Sequence, residues 1–234
     1  MIKQNNLAQL EENLGFQFKN QDLLNQALTH RSFLNENKTV GESNERMEFL
    51  GDSILSFCIS EMLYQKFPDY PEGNLTNIRS NLVKTTTLAK IARTLTIGKF
   101  LKLSHGEDDS GGRSNPSILA DTVEAIIGAI FFDQGLDVTK KFILTTFTST
   151  LEEIISSDNF KDPKSTLQEK IQAINNNPPP IYKTLKEEGP DHQKTFTIGV
   201  YINEQLLATD KGKSKREAEE NAARKALENY LSKT

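Results

Sequence analysis

The periodicity of the apolar residues changes character once along this chain of 234 residues, and that change constrains the fold more than any other feature. From Leu7 to about Ile155 the apolar residues recur at helical spacing, and no stretch alternates convincingly. Asn20 reads as a helix N-cap before Leu23, Leu24, Ala27 and Leu28. One long helix is expected from about Ser43 to Lys66, ending before Pro68, and another from Leu75 to Leu95. Ser104 to Ser117, "SHGEDDSGGRSNPS", reads as a Gly-rich polar loop, followed by helices from Ile118 to about Asp133 and up to Ser156. Beyond "SSDNFKDP" (Ser156 to Pro163) a short helix is expected over Ser165 to Asn175, ended by "NNNPPP". Then Thr195 to Ile202, "TFTIGVYI", alternates strictly, the pattern of a half-buried strand. Tyr182 to Glu188 and Gln205 to Thr209 read as its neighbours. A closing helix from Lys215 carries one apolar stripe, Ala223, Ala226, Leu227 and Tyr230. The expected architecture is an all-α domain (1–156), a linker (157–163) and a small α+β domain (164–234) of order α-β-β-β-α.

Charge divides at the same place. Residues 1–160 hold 15 Lys+Arg against 21 Asp+Glu, whereas 161–234 hold 13 against 11. An acidic body invites metal ions and a basic tail a polyanion. Cys58 is the single cysteine, which excludes an internal disulfide framework and a Cys-based zinc site. It lies in an apolar helical run and is expected in the core rather than as a nucleophile. The polar N-terminus has no apolar h-region, and the longest apolar run, Ala125 to Phe132, is too short to cross a bilayer; a cytoplasmic location is expected.

Two oily helices carry acids that a buried surface would reject unless something pairs with them. In "NERMEFLGDSIL" (Asn44 to Leu55), Glu45, Glu48 and Asp52 stand at i, i+3 and i+7, on one helical face. In "ILADTVEAIIGAIFF" (Ile118 to Phe132), Asp121 and Glu124 stand at i and i+3. Packed together, the two helices would crowd four or five carboxylates around one volume, which a hard divalent cation such as Mg²⁺ would relieve. Gly51 and Gly128 would permit close approach. Solvated or Arg-paired acids are the simpler reading for Glu45, with Arg46 near, but a poor one for Asp52, Asp121 and Glu124. The three histidines, His30, His105 and His192, do not have the spacing of a di-iron bundle, and "GEDDSGGR" follows no strand and lacks the lysine of a phosphate loop.

In the basic part, "SKRE" (Ser214 to Glu217) is a capping box flanked by Lys211, Lys213, Lys215 and Arg216. Free N–H groups and cations at one helix start suit phosphate. A domain of this order can lie across duplex RNA and read its A-form shape.

"NERMEFLGDSIL", "LTHRSF" (Leu28 to Phe33) and the segment from "GEDD" to "AIFFDQG" closely resemble motif blocks of the ribonuclease III family. "PKSTLQEKIQ", "GPDH" and "KSKREAEENAARKAL" resemble the double-stranded-RNA-binding domain of its bacterial members, so the likeness runs from about Leu7 to Leu231. It departs at Met47, Thr122 and a missing Gly before Ser214. The resemblance implies a homodimeric Mg²⁺-dependent endonuclease (Mn²⁺ substituting) that cuts double-stranded RNA to 5′-phosphate and 3′-hydroxyl ends. Its implied work is the processing of ribosomal precursors and other structured RNAs, with no nucleotide cofactor and no membrane. By motif, Glu48, Asp52, Asp121 and Glu124 match metal ligands, Asp52 and Glu124 also catalytic acids, and Glu45 and Glu72 further catalytic acids lining the cleft. Gln168, Glu169, Gln172, His192, Lys213, Lys215 and Arg216 match RNA contacts. From the residues alone, an all-α nucleotide pyrophosphohydrolase and a catalytically silent RNA binder remain as alternatives.

Overall fold

The computed structural model describes residues 7–37, 41–157, 160, 162–173, 178–190 and 193–231, and the chain divides into two compact units, 1–160 and 161–234. His192 and the expected end of the short helix at Asn175 lie outside the described residues.

The first unit is helical: α1 (Leu7–Leu14), α2 (Gln21–Ala27), α3 (Arg31–Glu36), α4 (Glu45–Lys66), α5 (Glu72–Val83), α6 (Thr85–Thr94), α7 (His105–Asp109), α8 (Pro116–Gln134) and α9 (Leu136–Ser156). Its axis is α8, apolar on every side and therefore interior. Residues from Ile118 to Ile130, except the partly buried Asp121 and Glu124, are buried along it, and α2, α4, α6 and α9 pack around it. Thr122 is fully buried there, its hydroxyl donating to the Ile118 carbonyl at 2.6 Å, so the residue fits without an unsatisfied polar atom. Cys58 is fully buried in the core.

Three expectations are corrected. The helix expected over Leu75 to Leu95 is two, α5 and α6, because Lys84 between them is extended (φ −68°, ψ 149°). The Thr87 hydroxyl bonds the Asn81 carbonyl at 2.7 Å across the break, which replaces a helical bond by a side-chain one. The segment Ser104 to Ser117 is not wholly a loop. Ser104 caps the single-turn α7 by accepting from the Glu107 N–H, and a 3-10 turn spans Gly112–Ser114. Phe160, inside the expected linker, is buried at 1% exposure, stacks on Tyr70 and accepts from the Asn77 amide at 3.0 Å. Phe160 is therefore anchored to the first unit.

The second unit holds α10 (Pro163–Gln172), β1 (Ile181–Glu188), β2 (Thr195–Ile202), β3 (Gln205–Gly212) and α11 (Lys215–Leu231). The strands form one antiparallel sheet in the order β1-β2-β3. Leu167 and Ile171 of α10, Val200 of β2, and Ala222, Ala223 and Ala226 of α11 make a separate core. Small alanines on α11 bring that helix close to the sheet.

Candidate active site and nucleic-acid interface

The acids converge because α4 and α8 touch backbone to backbone. A Cβ built on Gly51 would collide with the Glu124 carbonyl oxygen, and one on Gly128 with the Met47 carbonyl oxygen. The two glycines therefore set the helix separation, and each lies about one turn from an acid. Across this contact one carboxylate oxygen from each of Glu48, Asp121 and Glu124 lies within 4.8 Å of the others. Oxygens that close, on three partly buried side chains, are a donor set for a hard cation.

The electrostatics have the same cause. Burial, and then the charges of Asp52, Asp121 and Glu48, push the Glu124 carboxyl up to about 8 from an ordinary 4.5. Burial also raises Glu48, assisted by Asp121, Glu45 and Asp52. Asp121 is raised by burial, while the neighbouring His30 pulls it back. A divalent cation in the middle would reverse this balance and favour the ionised form of all three.

Asp52 differs from the sequence expectation of a buried acid: it is exposed and is not one of the three converging residues, although its charge is felt by Glu124 and Glu48. Its neighbours in sequence do not enclose it, since Phe49 is 78% exposed and Ser53 is also exposed. Glu45 is exposed and approaches Arg31 at 3.8 Å, while Arg46, the partner expected from sequence, instead pairs with Glu42 at 3.6 Å. Glu72 opens α5, accepts from Thr76 at 2.8 Å and stands outside the converging group.

Sequence reasoning missed the other side of this cleft. The segment 28–30 is tied to Lys102 by two backbone bonds, Lys102 N–H to the Leu28 carbonyl and His30 N–H to the Lys102 carbonyl. His30 in turn caps α3 through Nδ1, which accepts from the Ser32 N–H at 3.3 Å. The cleft, about 810 Å³, is lined by His30, Asn44, Glu48, Asn115, Ser117 and Asp121 among others. The juxtaposition of residues 30 and 121 is tertiary and leaves no trace in local spacing.

In the second unit, Gln168, Glu169 and Gln172 are exposed on α10, opposite the buried Leu167 and Ile171. Ser214 accepts from the Glu217 N–H at 3.1 Å, and Glu217 accepts from the Lys213 N–H at 2.7 Å, which realises the capping box one residue earlier than its usual return bond. Lys213, Lys215 and Arg216 are all exposed at this helix start. Two of them are already paired: Lys215 with Glu187 at 2.9 Å and Arg216 with Glu220 at 2.9 Å. The Lys215 bond, then the charges of Lys215 and Lys194, hold the Glu187 carboxyl below its ordinary range despite slight desolvation. Lys213 has no ion-pair partner among the described residues.

Residues 20–151 match the family model described as Ribonuclease-III-like, and residues 163–230 match the double-stranded RNA binding motif. A protein of Natranaerobius thermophilus called Ribonuclease 3 is 46% identical over 95% of this chain and 95% of its own. Another of that name, from Desulforamulus reducens, is 45% identical over 97% of this chain and 93% of its own. The crystal structure of the nuclease domain of ribonuclease III from Campylobacter jejuni is 40% identical, covers 62% of this chain and 96% of that one, and superposes with a TM-score of 0.58.

Proposed function

The chain belongs to the ribonuclease III family, and from that premise we propose that the Glu48–Asp121–Glu124 cluster is the place where this metal-dependent endoribonuclease of double-stranded RNA binds Mg²⁺ and cuts. The observation that carries the assignment is the convergence of three partly buried carboxylates at one backbone contact, a crowding of charge that a bound cation would offset. Mn²⁺ would serve in its place, having the same preference for oxygen.

When bound, the ion would supply Lewis acidity toward a phosphate oxygen and a lowered pKa for its water. The chain's own residues do the rest. Glu48, Asp121 and Glu124 would hold the ion, and Glu124, held up to about 8 without it, would give up its proton to do so. Asp52, one helical turn from Glu48, adds charge at the solvent edge. Glu45 and Glu72 belong to the wider acidic cleft rather than to the ion's first ligands. Hydrolysis at such a site leaves a 5′-phosphate and a 3′-hydroxyl.

The second unit delivers the substrate. Gln168, Glu169 and Gln172 of α10 face a minor groove, and Lys213, Lys215 and Arg216 take phosphates beside the free N–H groups of α11. His192 is a further groove contact by motif. Two copies would place one site on each strand across a two-fold axis. That reading is supported by the exposed Phe49, Phe57 and Tyr64 along one side of α4, and by a related solved structure, 41% identical, described as having a region involved in dimer formation of the nuclease domain. No helix among the described residues is long and apolar enough to cross a membrane. Cytoplasmic processing of ribosomal precursors and other structured RNAs completes the proposal.

The test is cleavage of a long RNA duplex, with single-stranded RNA as control, by the native protein and Glu124→Gln. Cutting that needs Mg²⁺, stops with EDTA and is lost in the variant while duplex binding persists supports the assignment. Undiminished cutting by Glu124→Gln would overturn it.

A further inference from the structure

Asn44 is a polar residue only 2% exposed, yet its carboxamide makes no hydrogen bond to any described residue. Its backbone is fully engaged: the N–H donates to the Thr29 carbonyl at 2.9 Å and the carbonyl accepts from the Glu48 N–H at 2.9 Å. Asparagine at a helix start normally turns back to cap it. Here the αR backbone (φ −76°, ψ −12°) is not the extended conformation that capping requires, and no cap bond forms. The amide is not shut away from water: its polar atoms reach the wall of the cleft, where solvent or a ligand supplies the bonds that no described residue makes. Asn44 lines the cleft beside His30, Glu48 and Asp121, so a ligand lying in that cleft is within reach.

The surroundings decide which ligand group fits. Glu45, Glu48 and Asp121 line the same cleft, and their field disfavours a second bare anion next to the amide. A neutral hydroxyl has no such penalty. It also matches an amide, because the NH₂ donates to the hydroxyl oxygen while Oδ1 accepts its proton. The neutral hydroxyl that distinguishes RNA from DNA is the 2′-hydroxyl of ribose. We propose that Asn44 is a specificity-determining residue that hydrogen-bonds a ribose 2′-hydroxyl of the RNA strand in the cleft. This rests on the reading of the Glu48–Asp121–Glu124 cluster as the cutting centre.

The experiment uses the full chain and RNA duplexes in which single nucleotides around the cleavage site carry 2′-deoxyribose, one position at a time. Single-turnover rates are compared for the native protein and Asn44→Ala. In the native protein one position is expected to cost roughly 5- to 30-fold on loss of its hydroxyl. Asn44→Ala should cut the all-ribose duplex slower by a similar factor and show no further loss at that position. Asn44→Ser, whose side chain is a good helix-start residue but too short to reach, gives the same readout should the alanine variant not fold. Equal slowing of every duplex with the deoxy penalty intact would make Asn44 merely structural and overturn the proposal, as would the absence of any sensitive position. Glu124→Gln run alongside separates this from the parent reading, since continued cutting by that variant refutes the centre itself.

Discussion

Replacing Glu124 by Gln should stabilise the metal-free protein near pH 8 even as it removes activity. The Glu124 carboxyl is held at about 8 in the folded chain against an ordinary 4.5, by burial and then by Asp52, Asp121 and Glu48. The folded state therefore binds this proton more tightly than the unfolded chain does. The protonated carboxyl contributes its stability fully below about pH 4.5 and loses it as pH rises toward 8. At about 1.4 kcal/mol per pH unit the interval corresponds to about 5 kcal/mol, of which local relaxation and water leave about 2–4 kcal/mol. A neutral glutamine of the same shape never incurs that loss. With about 2–4 °C per kcal/mol for a unit of this size, Glu124→Gln in EDTA near pH 8 should melt roughly 5–10 °C above the native protein. Near pH 5 the two should melt together. Adding Mg²⁺ should raise the native transition and move the variant much less, because the ion has lost a ligand. Far-UV circular dichroism across pH, with and without Mg²⁺, gives all six values. A variant that melts lower than the native protein near pH 8 in EDTA would refute the crowding of charge on which the reasoning depends.

Gly51→Ala gains about 1 kcal/mol of helix propensity but drives a methyl into the Glu124 backbone, so a net loss of about 2–4 kcal/mol and weaker metal binding are expected on chemical denaturation and titration. Burial pushes the Asp133 carboxyl up, but the Lys19 and Asn20 N–H groups, at 2.8 and 2.9 Å, with help from Gln134, outweigh it and hold it below 3.8. Its contribution is thus present above about pH 3.8 and lost as pH falls through the lower folded value; Asp133→Ala should cost about 1–2 kcal/mol at neutral pH and flatten the acid limb of a denaturation profile. Glu187 and Glu188 pair with Lys215 and Lys211, at 2.9 and 4.0 Å, and would compete with phosphate for them under the proposed role of the α11 start. The double change to Gln should tighten duplex RNA binding roughly threefold or more at low salt and steepen its salt dependence, measured by fluorescence anisotropy.

What was legible in the sequence was whatever local spacing encodes. The i, i+3 placement of Asp121 and Glu124 in an apolar run announced both an interior helix and its partly buried acids, and the alternation of Thr195 to Ile202 announced the central strand. The capping box named the start of α11. For Asp52 the apolar neighbours do not signal burial, because Phe49 and Phe57 are themselves exposed on α4. The break at Lys84 has neither Pro nor Gly to mark it; a threonine hydroxyl taking over a backbone carbonyl is a weak local signal. Phe160 sits among polar residues that read as linker, and only Tyr70 and Asn77, far back in the chain, make it core. His30 and Asn44 escaped for the same reason, since their relation to Asp121 exists only after folding.

The central claim is that Glu48, Asp121 and Glu124 share one cation. Crystals of the protein soaked in Mn²⁺ and measured at the manganese edge test it most directly. The expected result is an anomalous peak ligated by oxygens of all three carboxylates and absent in Glu124→Gln. A peak elsewhere, or none at saturating Mn²⁺, would contradict it.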